Sequence, residues 1–216
     1  MKSCEKGLWL FILLLTAGLF YAVFFLVPPA EGLGSLVRIA FFHIPVAWVS
    51  VIAFLVGAWY ALRYLRRPGK RFDAISAESA RLGLIFVVLA TLSGAVFSKL
   101  TWGAYWNWDP RQTTIFVLLL IYAAYLTLRS VITDERRRAR VSAIYALFSF
   151  LTVPFLIFII PRFYFSLHPS PVLNGSGSIE MDPVMLRVLL LSLLDVTFIY
   201  IALLGHRVKE VHHHET

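Results

Sequence analysis

Six apolar runs, separated by short polar joints, dominate the chain: residues 8–27, 36–62, 82–100, 113–132, 141–160 and 184–204. A helix needs about 20 such residues to cross roughly 30 Å of hydrocarbon. Each run meets that length, and none shows the strict two-residue alternation of a barrel strand. Isolated strands in lipid would leave backbone groups without partners, so helices are the only spanning solution. The first run is too long for the apolar core of a signal peptide, and no Ala-x-Ala cleavage site follows it. The pattern predicts an all-α integral membrane protein, a bundle of six transmembrane helices in a single domain covering residues 1–216.

Composition agrees with lipid as the main solvent. The 216 residues are 59% hydrophobic and 15% charged, and mean hydropathy is +0.78. Soluble domains carry about a quarter charged residues. The net charge of +8 would suit nucleic acid in a soluble protein. Here it follows loop topology instead. With the N-terminus inside, 15 of the 20 basic residues fall on inner segments. They cluster at Lys2 and Lys6, Arg63–Arg81, Arg129–Arg140, and Arg207 and Lys209. Only Arg38, Lys99, Arg111, Arg162 and Arg187 fall outside. The positive-inside rule therefore places both termini in the cytoplasm and removes nucleic acid from the expected partners. Cys4 is the only cysteine, which excludes an intrachain disulfide and any cysteine-ligated zinc or iron–sulfur cluster.

The inner joints are short basic linkers, whereas the outer ones are rich in Trp, Tyr, Phe, Pro and Gly. Between the third and fourth runs lies Trp102-Gly103-Ala104-Tyr105-Trp106-Asn107-Trp108-Asp109-Pro110-Arg111, with three of the six tryptophans within seven positions. Two readings fit this density. One is an interfacial aromatic belt; the other is a platform of ring faces for a flat apolar ligand. Asp109 before Pro110, with Gln112 three residues on, has the form of an N-cap with a capping-box partner. Asp182-Pro183 repeats the start signal before the sixth run. Arg111 can snorkel to phosphate or meet another anion.

Two of the six histidines stand on the outer side, away from the C-terminal run and His206. His43 lies in the outer part of the second run and His168 in the segment after the fifth. A lone histidine is commonly a hydrogen-bonded structural residue, yet an ionisable group at membrane depth is a functional candidate. Two neutral imidazoles can also supply both axial ligands to a porphyrin iron. Histidines alone, without a carboxylate cluster, suit zinc or manganese poorly. Asp195, near the middle of the sixth run, has no evident cation and calls for a neutral or paired state.

The Trp-Gly-x-x-Trp-x-Trp-Asp-x-Arg string at 102–111 resembles the WWD signature of haem-handling proteins. Within that superfamily the chain resembles the CcmC family of cytochrome c maturation, in length, in helix number, and in one histidine before and one after the motif. His43-Ile44-Pro45-Val46-Ala47-Trp48 resembles that family's first ligand segment, and Leu167-His168 its second. Tyr105 stands where Trp is common and Pro110 where Ala is usual. The resemblance implies haem b at the periplasmic face of a bacterial inner membrane, ligated by His43 and His168. It places Trp102, Tyr105, Trp106, Trp108 and Asp109 against the haem. Arg38, Arg111 and Arg162 are candidate charge-assisted partners of its propionates, Arg38 the weakest because it also marks a helix end. It further implies delivery to the haem chaperone CcmE, with CcmD and the CcmA–CcmB transporter as partners, and no enzymatic turnover. The alternative from another class is a small-solute transporter or channel with an aromatic belt. Transporters place broken helices and polar groups at the midplane, where this chain offers little besides Asp195.

Overall fold

The computed structural model describes residues 2–168 and 181–213, with side chains from Glu5 to Val211 within those limits. Pro169 and Ser170 after the second outer histidine, Cys4 as a side chain, and the C-terminal His212–His214 side chains lie outside the described part. α1 (Lys2–Tyr21) continues into a π turn (Ala22–Leu26), and a 3-10 turn (Ser35–Ile39) leads into α2 (Ala40–Arg66). α3 (Lys70–Trp102), α4 (Pro110–Val131) and α5 (Glu135–Pro154) follow. A second π turn (Phe155–Ile159) joins α5 to the short α6 (Ile160–Phe163), and α7 (Pro183–His213) ends the described chain. Six helical stretches are long and apolar enough to cross a membrane.

Helix ends follow local chemistry. α3 stops at Gly103, whose φ of 83° is the left-handed cap conformation that glycine adopts without strain. Asp134 accepts from the Arg137 N–H at 2.7 Å and starts α5. Asp182 accepts from the Val184 N–H at 2.7 Å and starts α7, the N-cap role expected from Asp182-Pro183. α3 and α5 begin 12 and 6 residues ahead of the apolar runs at 82 and 141, at Lys70 and Glu135. The reason is that hydropathy marks the hydrocarbon, whereas hydrogen bonding carries a helix past it through charged turns.

α2 is the centre of the bundle. It packs along α3 and is flanked by α5 and α7. Small residues let α2 and α3 approach closely, as lipid-embedded helices require. The Ser76 hydroxyl donates to the Gly57 carbonyl at 2.8 Å, and the Ser79 hydroxyl to the Ala53 carbonyl at 2.7 Å. At Gly83 the fit is tightest: a Cβ there would come within 2.5 Å of the Phe54 ring. Phe54 is fully buried and stacks on Tyr122 with ring centroids 3.5 Å apart, so it has nowhere to turn. Gly83→Ala is expected to destabilise the bundle by about 1–3 kcal/mol of overpacking, read as a lower unfolding midpoint in detergent.

Two carboxyls within the bundle have polar partners on other helices. Asp73 receives both terminal nitrogens of Arg129, the first at 2.8 Å, which ties α3 to α4. Asp195 accepts from the Thr16 hydroxyl at 2.8 Å, and α7 is thereby joined to α1. A single hydroxyl is the neutral kind of partner that a carboxyl at that depth calls for.

Candidate functional site

Several helices turn one face each toward a common cavity at the end of the bundle where α3 gives way to α4. On α2, His43, Ala47 and Val51 recur at i, i+4 and i+8. On α4 the pair is Arg111 and Ile115; on the π turn and α6 it is Ile157 and Pro161; just before α7 and in its first turn it is Met181 and Met185. The cavity measures about 920 Å³, at the upper end of small-molecule sites. Trp48, Phe97 and Phe158 add aromatic surface, and Trp48 meets Phe158 at 5.8 Å between centroids. A smaller recess of about 160 Å³ shares His43, Arg111 and His168 and adds Trp106 and Gln112.

His43 and His168, 125 positions apart in sequence, thus face the same space. His43 projects from the second turn of α2 onto α3. Its Nδ1 lies 3.1 Å from the Ser93 hydroxyl oxygen. A Cβ on Gly94 would come within 3.0 Å of its Cε1.

His168 sits beyond α6, on chain with no helix to hold it. Asp109 holds it instead. The Asp109 carboxylate accepts from its own helix at the Arg111 N–H (2.9 Å), from the Leu167 N–H (2.7 Å) and from the Ser166 hydroxyl (3.0 Å). His168 Nδ1 comes to 3.3 Å from Asp109 Oδ1, short of good hydrogen-bond alignment. The Trp102 ring meets the imidazole edge-on at 5.2 Å. The N-cap expected of Asp109 is present, but Gln112 does not close a capping box on it. Gln112 Oε1 takes the Asn107 N–H at 2.8 Å, two residues further back, because the intervening Trp108 turns the chain away.

Burial raises the Asp109 carboxyl. The Arg111 and Leu167 N–H groups, the nearby His168 and the Ser166 hydroxyl outweigh it and hold the group below the ordinary carboxylate range. Burial lowers His168 below its ordinary value; Arg111 acts the same way, and Asp109 opposes. At neutral pH the pair is a carboxylate beside a neutral imidazole, the form that can ligate a metal.

The remaining expected residues divide. Trp106, Arg111 and Arg162 line one or other space, and Arg162 donates through Nη1 to the Phe158 carbonyl. Trp108 is 73% exposed and meets Trp106 edge-on at 5.8 Å. Its φ of 54° is a strained setting for a bulky residue. Tyr105 is exposed beneath the Lys99 ammonium. Arg38 turns from the cavity lining and lies over the Phe24 ring at 5.8 Å. Ser93, Gly94 and Ser166 are the contributors that sequence reading passed over. A Ser-Gly pair inside an apolar helix, and a serine two residues before a histidine, were the only signals. Among the described residues no group of three or more His, Cys, Asp or Glu side chains could hold a metal ion.

The family profile described as Heme exporter protein C matches residues 2–216. Among similar proteins is a Heme exporter protein C of Bradyrhizobium diazoefficiens, 30% identical over 192 residues, 89% of this chain and 72% of that one. The protein of the same name in Rhodobacter capsulatus is 25% identical, over 92% of this chain and 81% of its own length. Cytochrome c biogenesis protein CcsA of Spinacia oleracea is 40% identical over 84 residues, 39% of this chain and a quarter of that protein (25%). With a match running from residue 2 to residue 216, this multi-pass membrane chain belongs to the heme exporter protein C family, CcmC.

Proposed function

We propose that this chain holds haem b at the periplasmic face of a bacterial inner membrane and delivers it for cytochrome c maturation. The observation that carries the reading is the convergence of His43 and His168, with Arg111 and Arg162, on one large apolar cavity. Two imidazoles suit the two axial positions of a porphyrin iron. Two guanidiniums suit its propionates as charge-assisted partners. The aromatic lining suits its flat face, and Trp106 and the exposed Trp108 extend that surface toward the loop.

The distribution of basic residues supports an orientation with both termini cytoplasmic and the Trp-rich loop outside. In that orientation the cavity opens toward the periplasm, where the chaperone CcmE would receive the haem. CcmD and the CcmA–CcmB transporter are the expected companions. No nucleophile–base pair is needed for this role: the chain binds, orients and releases its cargo. Arg38, set over Phe24, is the weakest of the proposed propionate contacts.

The purified protein, produced in cells able to make haem, is expected to be red-brown with a six-coordinate, low-spin Soret spectrum. Colourless protein that takes up no added haem would overturn the proposal.

A further inference from the structure

The contact between His43 and α3 determines which imidazole nitrogen is free. Ser93 Oγ lies 2.8 Å from the Leu89 carbonyl and 3.1 Å from the Ala90 carbonyl, one turn back on its own helix. A serine hydroxyl has one proton. Back-bonding to the i−4 and i−3 carbonyls occupies it, and facing two carbonyl oxygens with a lone pair instead would be repulsive. The side of Oγ turned to His43 therefore presents a lone pair, and at 3.1 Å it can only accept. Nδ1 must carry the proton of the neutral ring. The lone pair is then left on Nε2. Gly94 completes the fit: even a methyl group there would press on Cε1 at 3.0 Å, with Nδ1 at 3.5 Å and Nε2 at 3.9 Å. With a Cβ at 94 the ring would have to move a few tenths of an ångström away from α3 and from Ser93.

We infer that Ser93 and Gly94 are a positioning pair that fixes His43 as the Nδ1–H tautomer and presents Nε2 to the iron of the cargo. The inference rests on the haem-ligand reading above. It also makes the two imidazoles unequal. Asp109 Oδ1 lies 3.3 Å from His168 Nδ1 without a hydrogen bond, whereas His43 faces the Ser93 hydroxyl and the Ala90 carbonyl of α3. Neither Ser93 nor Gly94 touches the iron; both act through the ring.

Two measurements test this. In the haem-free protein, nitrogen-15 NMR of labelled histidine is expected to show His43 protonated at Nδ1 and bare at Nε2. A ring protonated at Nε2 would overturn the inference without any variant having to fold. In the haem-loaded protein, Ser93→Ala is expected to speed haem loss by about 10–100-fold, the usual cost of losing an outer-shell partner, and to shift the midpoint potential. Ser93→Thr, which can back-bond in the same way, should restore both. Gly94→Ala should reproduce the shift with the hydroxyl intact. Wild-type haem loss and potential in Ser93→Ala, alongside a lost ligand in His43→Ala, would sink the inference and leave the ligand reading standing. An unchanged spectrum in His43→Ala would sink the ligand reading itself.

Discussion

His43→Ala is expected to convert a six-coordinate, low-spin haem spectrum into a five-coordinate, high-spin one, and His168→Ala to do the same from the opposite side. Each variant leaves one imidazole in place, so haem is held but weakly. Losing an outer-shell partner already costs about 10–100-fold in affinity, and losing the ligand itself should cost at least the upper end of that range. The double variant should copurify with little or no haem. The two residues reach the cavity by independent routes, one from α2 packed on α3 and the other from a segment pinned by Asp109. Neither substitution should therefore abolish the other's contribution. Exogenous imidazole should restore the low-spin spectrum where the truncated side chain leaves room for it. Single variants that both keep the wild-type spectrum would remove the basis for the proposed function.

The second large effect is expected at Asp109. Asp109→Ala removes an N-cap from α4, worth about 0.5–2 kcal/mol. It also leaves the Leu167 N–H, at a partly buried contact, without its acceptor, a further cost of about 0.5–1.5 kcal/mol. The segment 164–168 should detach and take His168 with it, so haem retention falls by about 10–100-fold while α2 and His43 are unaffected. Asp109→Asn keeps an oxygen for the backbone donors but loses the negative charge facing His168, and should give an intermediate loss. Acid should mimic these variants. Asp109 is held below its ordinary range, so its stabilising share is present at neutral pH and is lost as pH falls through that lowered value. His168 is also lowered, so protonation below its ordinary value of 6.5 opposes the folded arrangement in the same direction. Proteolytic nicking of the segment, followed against pH, should rise on acidification. A rise with alkali, or no pH response, would contradict the assignment.

Membrane spans were readable because lipid forces every backbone group into an intra-segment bond, and a run of about 20 apolar residues announces that. Asp109 was readable as a cap because Pro110 is its neighbour. Its grip on Leu167 and Ser166, 58 and 57 positions away, was not, because no local pattern encodes a contact made only when α6 folds back over α4. The capping-box spacing points Gln112 to the wrong backbone N–H for a related reason: the left-handed turn at Trp108 is invisible in a spacing rule. Arg38 and Arg162 are both outer arginines, Arg38 the weaker candidate as a helix-end residue, and packing sets the first over Phe24 and the second in the cavity lining. The α3 contacts of His43 fall in the same class, since Ser93 and Gly94 gain meaning only where α2 presses on them.

The π turn after Pro154 has a bearing on how an anion would be received. Phe158 lies in that turn, and its carbonyl accepts from the Arg162 guanidinium four residues on. A long, freely rotating side chain is thereby anchored at one nitrogen, while its remaining donors are left for a carboxylate. Lysine at that position would have no planar fork to divide between backbone and guest. The entropy of fixing the cation is lost when the chain folds rather than when the guest arrives, and such preorganisation favours a tight complex.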